Sequence, residues 1–270
     1  MPMTYYPQSE TMRKYIQLFS ITRFDEGVDF SAFKAKAVPY GAVNLIFCFG
    51  FQFRYFNNRQ EFIVGSHIKG PSLKYYHIEH YGKIDLLLVN FKPYGLYLFV
   101  HFPVDKLYGK VLDINEVDPE FVKTEELLKI CPDDKERMGV LEGEMLRLFN
   151  PKRADISDVV EAVNLIVQKQ GLLDIENLLK EIPMSPKTLE RKFRSITGMT
   201  PKNYIRLIRF ESVLKKVRTD QTHRNWMEVA LESGYYDQSH FIRDFKEFMG
   251  NPPEKYLNKR DLLLDIFHPF

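Results

Sequence analysis

Lys187, Glu190, Arg191 and Arg194 recur at i, i+3, i+4 and i+7, the spacing that gathers side chains on one face of a helix. Gln238, Ser239, Ile242, Arg243 and Lys246 form a comparable stripe further along the chain. An arginine can bond bidentately to guanine O6 and N7, a glutamine to adenine, and a glutamate can accept from cytosine N4. Two helices with such outer faces carry the chemistry to read base edges. A solvated face laced with ion pairs is the plainer use of the same charges. Opposite each stripe lie side chains suited to an interior: Thr188, Leu189, Phe193 and Ile196 in the first, Phe241, Phe245 and Phe248 in the second.

The elements that must hold these faces are repeated. Phe193 to Tyr204 aligns with Phe245 to Tyr256 at a constant offset of 52, with Phe, Gly, Pro and Tyr identical and Arg191 matched by Arg243. A short amphipathic helix is predicted ahead of each copy, over Ile175–Ile182 and Trp226–Ser233. Tight turns follow, and Ser185 and Asp237 are suited to cap the next helices, which start at Pro186 and Gln238. Helix, turn, second helix is the pattern of a helix-turn-helix, although a plain helical bundle shares it. In the second copy Ala230 and Gly234 supply the small residue and the turn glycine, where the first has Leu179 and Pro183. Pro201–Arg218 reads as one long connecting helix with an apolar stripe of Leu207, Phe210, Leu214 and Val217. Its basic residues are Lys202, Arg206, Arg209, Lys215, Lys216 and Arg218. With Arg194 and Lys246 these are candidate phosphate contacts, or solvated ion-pair partners.

The 270 residues carry a net charge of +2, an average that hides an asymmetry. Residues 1–150 hold 18 basic and 19 acidic side chains and 26 aromatic ones, while Ser185–Asn225 alone is net +8. Two domains are expected, over 1–150 and 151–260, with a tail at 261–270 and a linker at Asn150-Pro151-Lys152-Arg153. The first reads as β-rich. Odd positions from Val43 to Tyr55 are all apolar, which predicts one face of a strand or of a bent strand pair with a bend at Gly50. Phe62–Val64, Leu73–Glu79 and Ile84–Phe91 read as further strands, a set that fits a small barrel or sandwich. Helices are predicted over Phe121–Ile130 and Lys135–Phe149, the latter packing on its own barrel or pairing with a second copy.

Residues Asp155–Arg260 resemble the DNA-binding domain of the AraC/XylS family of bacterial transcription regulators. The likeness is carried by Met184-Ser185-Pro186-x-x-Leu189-x-Arg191-x-Phe193 and Gly198-Met199-Thr200-Pro201-x-x-Tyr204-Ile205-x-x-x-Arg209. It continues in Val229-Ala230-x-x-x-Gly234-Tyr235-x-Asp237-Gln238-Ser239-His240-Phe241-x-Arg243-x-Phe245-Lys246 and ends in Gly250-x-x-Pro253-x-x-Tyr256. The resemblance implies an all-α domain of seven helices whose two second helices enter successive major grooves about 34 Å apart. Carried over by position, Lys187, Glu190, Arg191, Gln238, Ser239 and Arg243 face bases. Leu179 departs from the family's alanine, and Glu190 is not a general DNA contact. Pro39-x-Gly41-x-x-Asn44-Leu45-Ile46-Phe47, Ile63-Val64-Gly65 and Phe91-x-Pro93-x-Gly95 are similar to the cupin-like sensor barrels attached to many such regulators. That likeness implies a small-molecule pocket or a dimerisation surface, making an effector, a second copy and RNA polymerase partners beside double-stranded DNA.

His67, His77, His80 and His101 raise a metal-cupin enzyme as the alternative. The family's His-x-His pair is replaced by His77-x-x-His80, which on a strand points the two to opposite faces. No phosphate-cradling glycine loop, nucleophile elbow or HExxH motif occurs, so no catalytic residue, metal or cofactor is expected. Cys48 and Cys131 are too few and too far apart for a disulfide framework or metal site. Apolar stretches fall short of the ~18–20 residues that span a bilayer, and no signal peptide is visible. A cytoplasmic α+β regulator is the expectation, with a protein-interaction role for the first domain as the other option.

Overall fold

A computed structural model describes residues 3–24, 33–50, 52–57, 60–80, 83–219 and 226–253. Up to Asp113 the chain is mainly strands: β1 (Met3–Tyr5), β2 (Ile16–Phe24), β3 (Phe33–Ala37), β4 (Asn44–Cys48), β5 (Phe53–Phe56), β6 (Glu61–Val64), β7 (His67–Lys69), β8 (Tyr76–His80), β9 (Ile84–Phe91) and β10 (Val111–Asp113). The helix α1 (Glu10–Arg13) and two 3-10 turns, Leu96–Leu98 and Val104–Leu107, interrupt them. All pairings are antiparallel, in a six-stranded sheet of order β1-β2-β9-β4-β7-β10 and a four-stranded sheet of order β3-β8-β5-β6. Among the described residues the hydrogen bonds form two separate sheets and do not close into a ring.

The apolar alternation from Val43 to Tyr55 serves two cores. Val43, Leu45 and Phe47 point from the larger sheet toward the helices, whereas Phe53 and Tyr55 point from the smaller sheet into the space between the sheets. Of the two sequence expectations, the bent pair is therefore the correct one. The chain changes sheets around Gly50, where a Cβ would lie 2.4 Å from the Lys83 carbonyl oxygen, so only glycine fits. Phe51 lies outside the described residues. Ile84–Phe91 forms a strand over the expected span, but Leu73–Tyr75 stays outside β8. Strands β1, β2, β3, β7 and β10 were not foreseen.

Helices follow: α2 (Ile114–Val117), α3 (Pro119–Lys129), α4 (Asp134–Leu148), α5 (Ser157–Gln168), α6 (Ile175–Glu181), α7 (Pro186–Thr197), α8 (Pro201–Thr219), α9 (Trp226–Glu232) and α10 (Gln238–Met249). Leu141 and Met145 of α4 are buried in the same core as Phe121 and Leu128 of α3, so α4 packs on its own domain. Six helices from α5 onward are described; a seventh, and the tail at 261–270, fall outside the described residues.

One continuous core joins the larger sheet, α3, α4 and the C-terminal helices. The two halves meet at three glycines. A Cβ on Gly41 would sit 2.7 Å from the Tyr204 ring, and one on Gly198 2.9 Å from Pro71 and 3.1 Å from the Val104 carbonyl. One on Gly250 would fall 2.2 Å from the Tyr75 ring. Beside that ring, Lys36 donates to the Met249 carbonyl and lies 4.3 Å above the Tyr75 centroid.

Candidate nucleic-acid interface

The two long second helices, α7 and α10, are built alike. At α7, Ser185 Oγ accepts the Thr188 N–H at 3.2 Å, Pro186 takes the first helical position, and Gly198 closes the helix at φ +79°. At α10, Asp237 Oδ1 accepts the His240 N–H at 2.7 Å and Gly250 closes at φ +73°. Each is 12 residues long. Phe193 is buried against Tyr204, centroids 5.6 Å apart. Its counterpart Phe245 is buried among Phe210, Trp226 and Phe241 at 5.3–5.6 Å.

The preceding helices are α6 and α9. Their starts, Ile175 and Trp226, are 51 residues apart, whereas Pro186 and Gln238 are 52 apart. The second turn is therefore one residue longer, and Gly234 in that turn has φ +81°. Ala230 lies fully buried beneath α10, while Leu179, its counterpart, is half-buried and Leu178 fills the core. Leu178 corresponds to Val229, which is buried in the second unit as well, so the first unit differs in leaving Leu179 only partly covered.

Every residue expected to face bases lies on an outer surface: Lys187, Glu190 and Arg191 on α7, Gln238, Ser239 and Arg243 on α10. Arg194, Lys202 and Lys246 are exposed beside them. Among the described residues none of these nine side chains makes an intramolecular hydrogen bond or ion pair. Such cations are available to phosphates as far as the described residues go, because none of those competes for them.

Three other basic residues of α8 stand differently. Arg206 Nη2 reaches Asp244 Oδ1 at 2.6 Å and Glu247 Oε2 at 2.9 Å, joining α8 to α10. Burial works against its charge, but the two carboxylates more than offset that and hold it above its ordinary value. Arg209 donates Nε and Nη2 to the Gly171 carbonyl at 3.1 and 2.9 Å. Lys216 Nζ donates to Ser233 Oγ at 3.1 Å. The expectation of phosphate contact from these three meets side chains already engaged inside the domain. Lys215 is exposed, and the side chain of Arg218 lies outside the described residues.

Sequence reasoning missed Asp244, an almost fully buried acid whose neighbour Arg206 is its reason for being there. It missed too the ion pair of Lys192 with Asp158, which ties α7 to α5. An acid on the inward stripe of α10 was the available signal. Gln170 and Gly171, both at positive φ, shape the loop that presents the carbonyl to Arg209.

In the N-terminal half, His67 is fully buried. Its Nδ1 lies 2.6 Å from the Gly65 carbonyl and must donate; Nε2 then accepts from the Tyr55 hydroxyl at 2.8 Å. Burial pushes its pKa down to about 4, the Gly65 bond opposing. His77 stacks on Phe56 and abuts Tyr75. Among the described residues no three or more His, Cys, Asp or Glu side chains gather as metal ligands would.

A family profile described as a helix-turn-helix domain matches residues 178–259. Another, described as a domain of unknown function (DUF6597), matches residues 4–113. The chain is similar to the XylDLEGF operon transcriptional activator 3 of Pseudomonas putida, 26% identical over 133 residues, covering 46% of this chain and 40% of that protein. It is similar to the HTH-type transcriptional regulator GbdR of Pseudomonas aeruginosa, 32% identical over 112 residues, covering 40% of this chain and 28% of GbdR. The chain thus spans less than half the length of these relatives. Among solved structures, ToxT from Vibrio cholerae aligns with a TM-score of 0.45 and 13% identity, covering 88% of this chain and 97% of ToxT.

Proposed function

We propose that this chain, whose C-terminal part carries a helix-turn-helix domain of the AraC/XylS type, is a sequence-specific DNA-binding regulator of transcription. The observation that supports this most directly is the pair of matched helices, α7 and α10, on which Lys187, Glu190, Arg191, Gln238, Ser239 and Arg243 make no side-chain hydrogen bond or ion pair among the described residues. Lys187, Glu190 and Arg191 read base edges in one major groove, and Gln238, Ser239 and Arg243 read them in the next. Arg194, Lys202 and Lys246 replace counterions at phosphates and make affinity depend on salt. Arg206, Arg209 and Lys216 hold the domain together instead.

The N-terminal domain modulates this activity without catalysis of its own, by binding an effector or a second copy, and RNA polymerase is the downstream partner. Such a protein works in the cytoplasm, where the DNA is; no described helix is long and apolar enough to cross a membrane. A metal-dependent enzyme finds no support at His67, since both ring nitrogens are already bonded.

Genome-wide footprinting with the full chain at two salt concentrations tests the reading. Discrete sites are expected, each with two contacted segments one helical turn apart and occupancy falling as salt rises. Protection that is uniform along the DNA, or absent at both concentrations, overturns it.

A further inference from the structure

A cavity of ≈ 570 Å³ lies where the two halves of the chain meet. The N-terminal half contributes Tyr40, Lys92 and Tyr94; the C-terminal half contributes Asn164 and Gln168 of α5 with Tyr204, Ile208 and Glu211 of α8. The size suits a small organic molecule. Two of these residues carry opposite formal charges, Lys92 and Glu211, and among the described residues neither makes a side-chain hydrogen bond or ion pair. A carboxyl and an ammonium that are both half-buried, with no such partner among the described residues, are costly to keep. Proteins retain such groups where a ligand completes them.

We propose that this cavity binds an amino-acid-type zwitterion, its ammonium against Glu211 and the faces of Tyr40 and Tyr204, its carboxylate toward Lys92. The pairing assigns a use to both lone charges at once. The tyrosine rings add attraction for the ammonium, and the amides of Asn164 and Gln168 supply the remaining donors and acceptors. A simple amine leaves Lys92 unanswered; a simple acid leaves Glu211 so. Because α8 connects the two helix-turn-helix units, a bound molecule clamps that helix to the N-terminal domain. Binding itself stands without the DNA reading; only its regulatory consequence rests on that reading.

The groups around Glu211 predict a proton signature. Burial raises both Tyr40 and Tyr204 first; at Tyr40 the hydroxyl's bond to Asn90 Oδ1 at 2.6 Å opposes this, and the Glu211 carboxyl raises both further, while Tyr94 and Lys92 line the same cavity. Burial pushes Glu211 itself up to about 8, so at pH 7 it is mostly neutral. An arriving ammonium draws its pKa down, and the proton leaves to solvent.

Titration calorimetry of the full chain against the free proteinogenic amino acids, each beside its decarboxylated amine, tests this. At least one amino acid is expected to bind one-to-one with release of a proton at pH 7, read from two buffers of different ionisation enthalpy. Its amine should bind about tenfold or more weakly. Glu211→Gln, neutral and isosteric, should abolish proton release and weaken binding by a similar factor. Ile208→Trp, which fills the cavity from the other side, should remove binding in a chain whose urea melt is unchanged. Overturning results are no binding by any amino acid, equal binding by the amine, or binding without proton release. Binding that survives Ile208→Trp overturns the location. If an amino acid binds as described but DNA does not, the site stands and the regulatory reading fails.

Discussion

At the scale of single residues, the C-terminal domain separates two kinds of arginine. Arg191 and Arg243 are exposed, have no side-chain partner among the described residues, and occupy equivalent positions in the repeat. Arg191→Ala and Arg243→Ala should each cost about 1–3 kcal/mol in operator binding and relax base preference at one position. Competition binding against operators mutated base by base checks this; unchanged affinity and selectivity in both variants would end their base-reading role. Arg206 is the other kind. Its side chain is 24% exposed and pairs with Asp244, whose side chain is 4% exposed. Arg206→Ala strands that acid, and a loss on the order of 3 kcal/mol in stability is expected, visible as a lower urea midpoint before DNA is added. Spacing along the sequence could not tell these arginines apart. Positions 206 and 243 both fall among basic residues on a helix, and only the packing of α8 against α10 shows which one meets a carboxylate.

At the scale of elements, the helical repeat was legible because its signals are local. Ser185 and Asp237 start their helices by accepting bonds from residues three positions on, Pro186 takes the first position of its helix, and Gly198 and Gly250 end them at positive φ. Ser185→Ala and Asp237→Ala should each cost about 0.5–2 kcal/mol of stability by leaving a first-turn N–H without its acceptor. Thermal denaturation of the two variants, with Ser185→Asp as a restoring control, measures it; full stability in both would mean the caps are idle. The sheets were less legible. β2 pairs with β9 across most of the domain's length in sequence, and the apolar alternation through Gly50 gives no sign that its two ends belong to different sheets. Strand partners are chosen by contacts distant in the chain, and period-2 patterning reports burial on a face without naming the face.

At the scale of the whole molecule, two titratable groups act on stability with opposite signs. His67 titrates near 4 in the folded chain against about 6.5 when unfolded. The unfolded chain therefore binds the proton first as pH falls. Stability is lost between about 6.5 and 4, by an amount on the order of 3 kcal/mol. Glu211 is shifted the other way, to about 8. The unfolded chain ionises first as pH rises, so stability declines from about 4.5 up through 8. Between about 4.5 and 6.5 the two oppose each other, so urea melts across pH should show stability falling mainly from about 6.5 to 8. Glu211→Gln should flatten that alkaline fall and uncover the His67 rise between about 4 and 6.5. An alkaline flank that persists in that variant assigns it to another group.

The contacts of Gly198 on Pro71 and of Gly250 on Tyr75 have a consequence for the DNA as well as for the fold. These glycines end α7 and α10 at equivalent points, and both rest on the same β-rich body. That body works like the frame of a caliper locked at one opening, holding both jaws by their rear ends. On the proposed DNA-binding reading, the sheets would then set the length of DNA between the two contacted segments from outside the contacting helices. Adding one base pair between those segments should weaken binding sharply in the native chain. It should matter less after Tyr75→Ala, which removes one of the rests that hold α10 on that body.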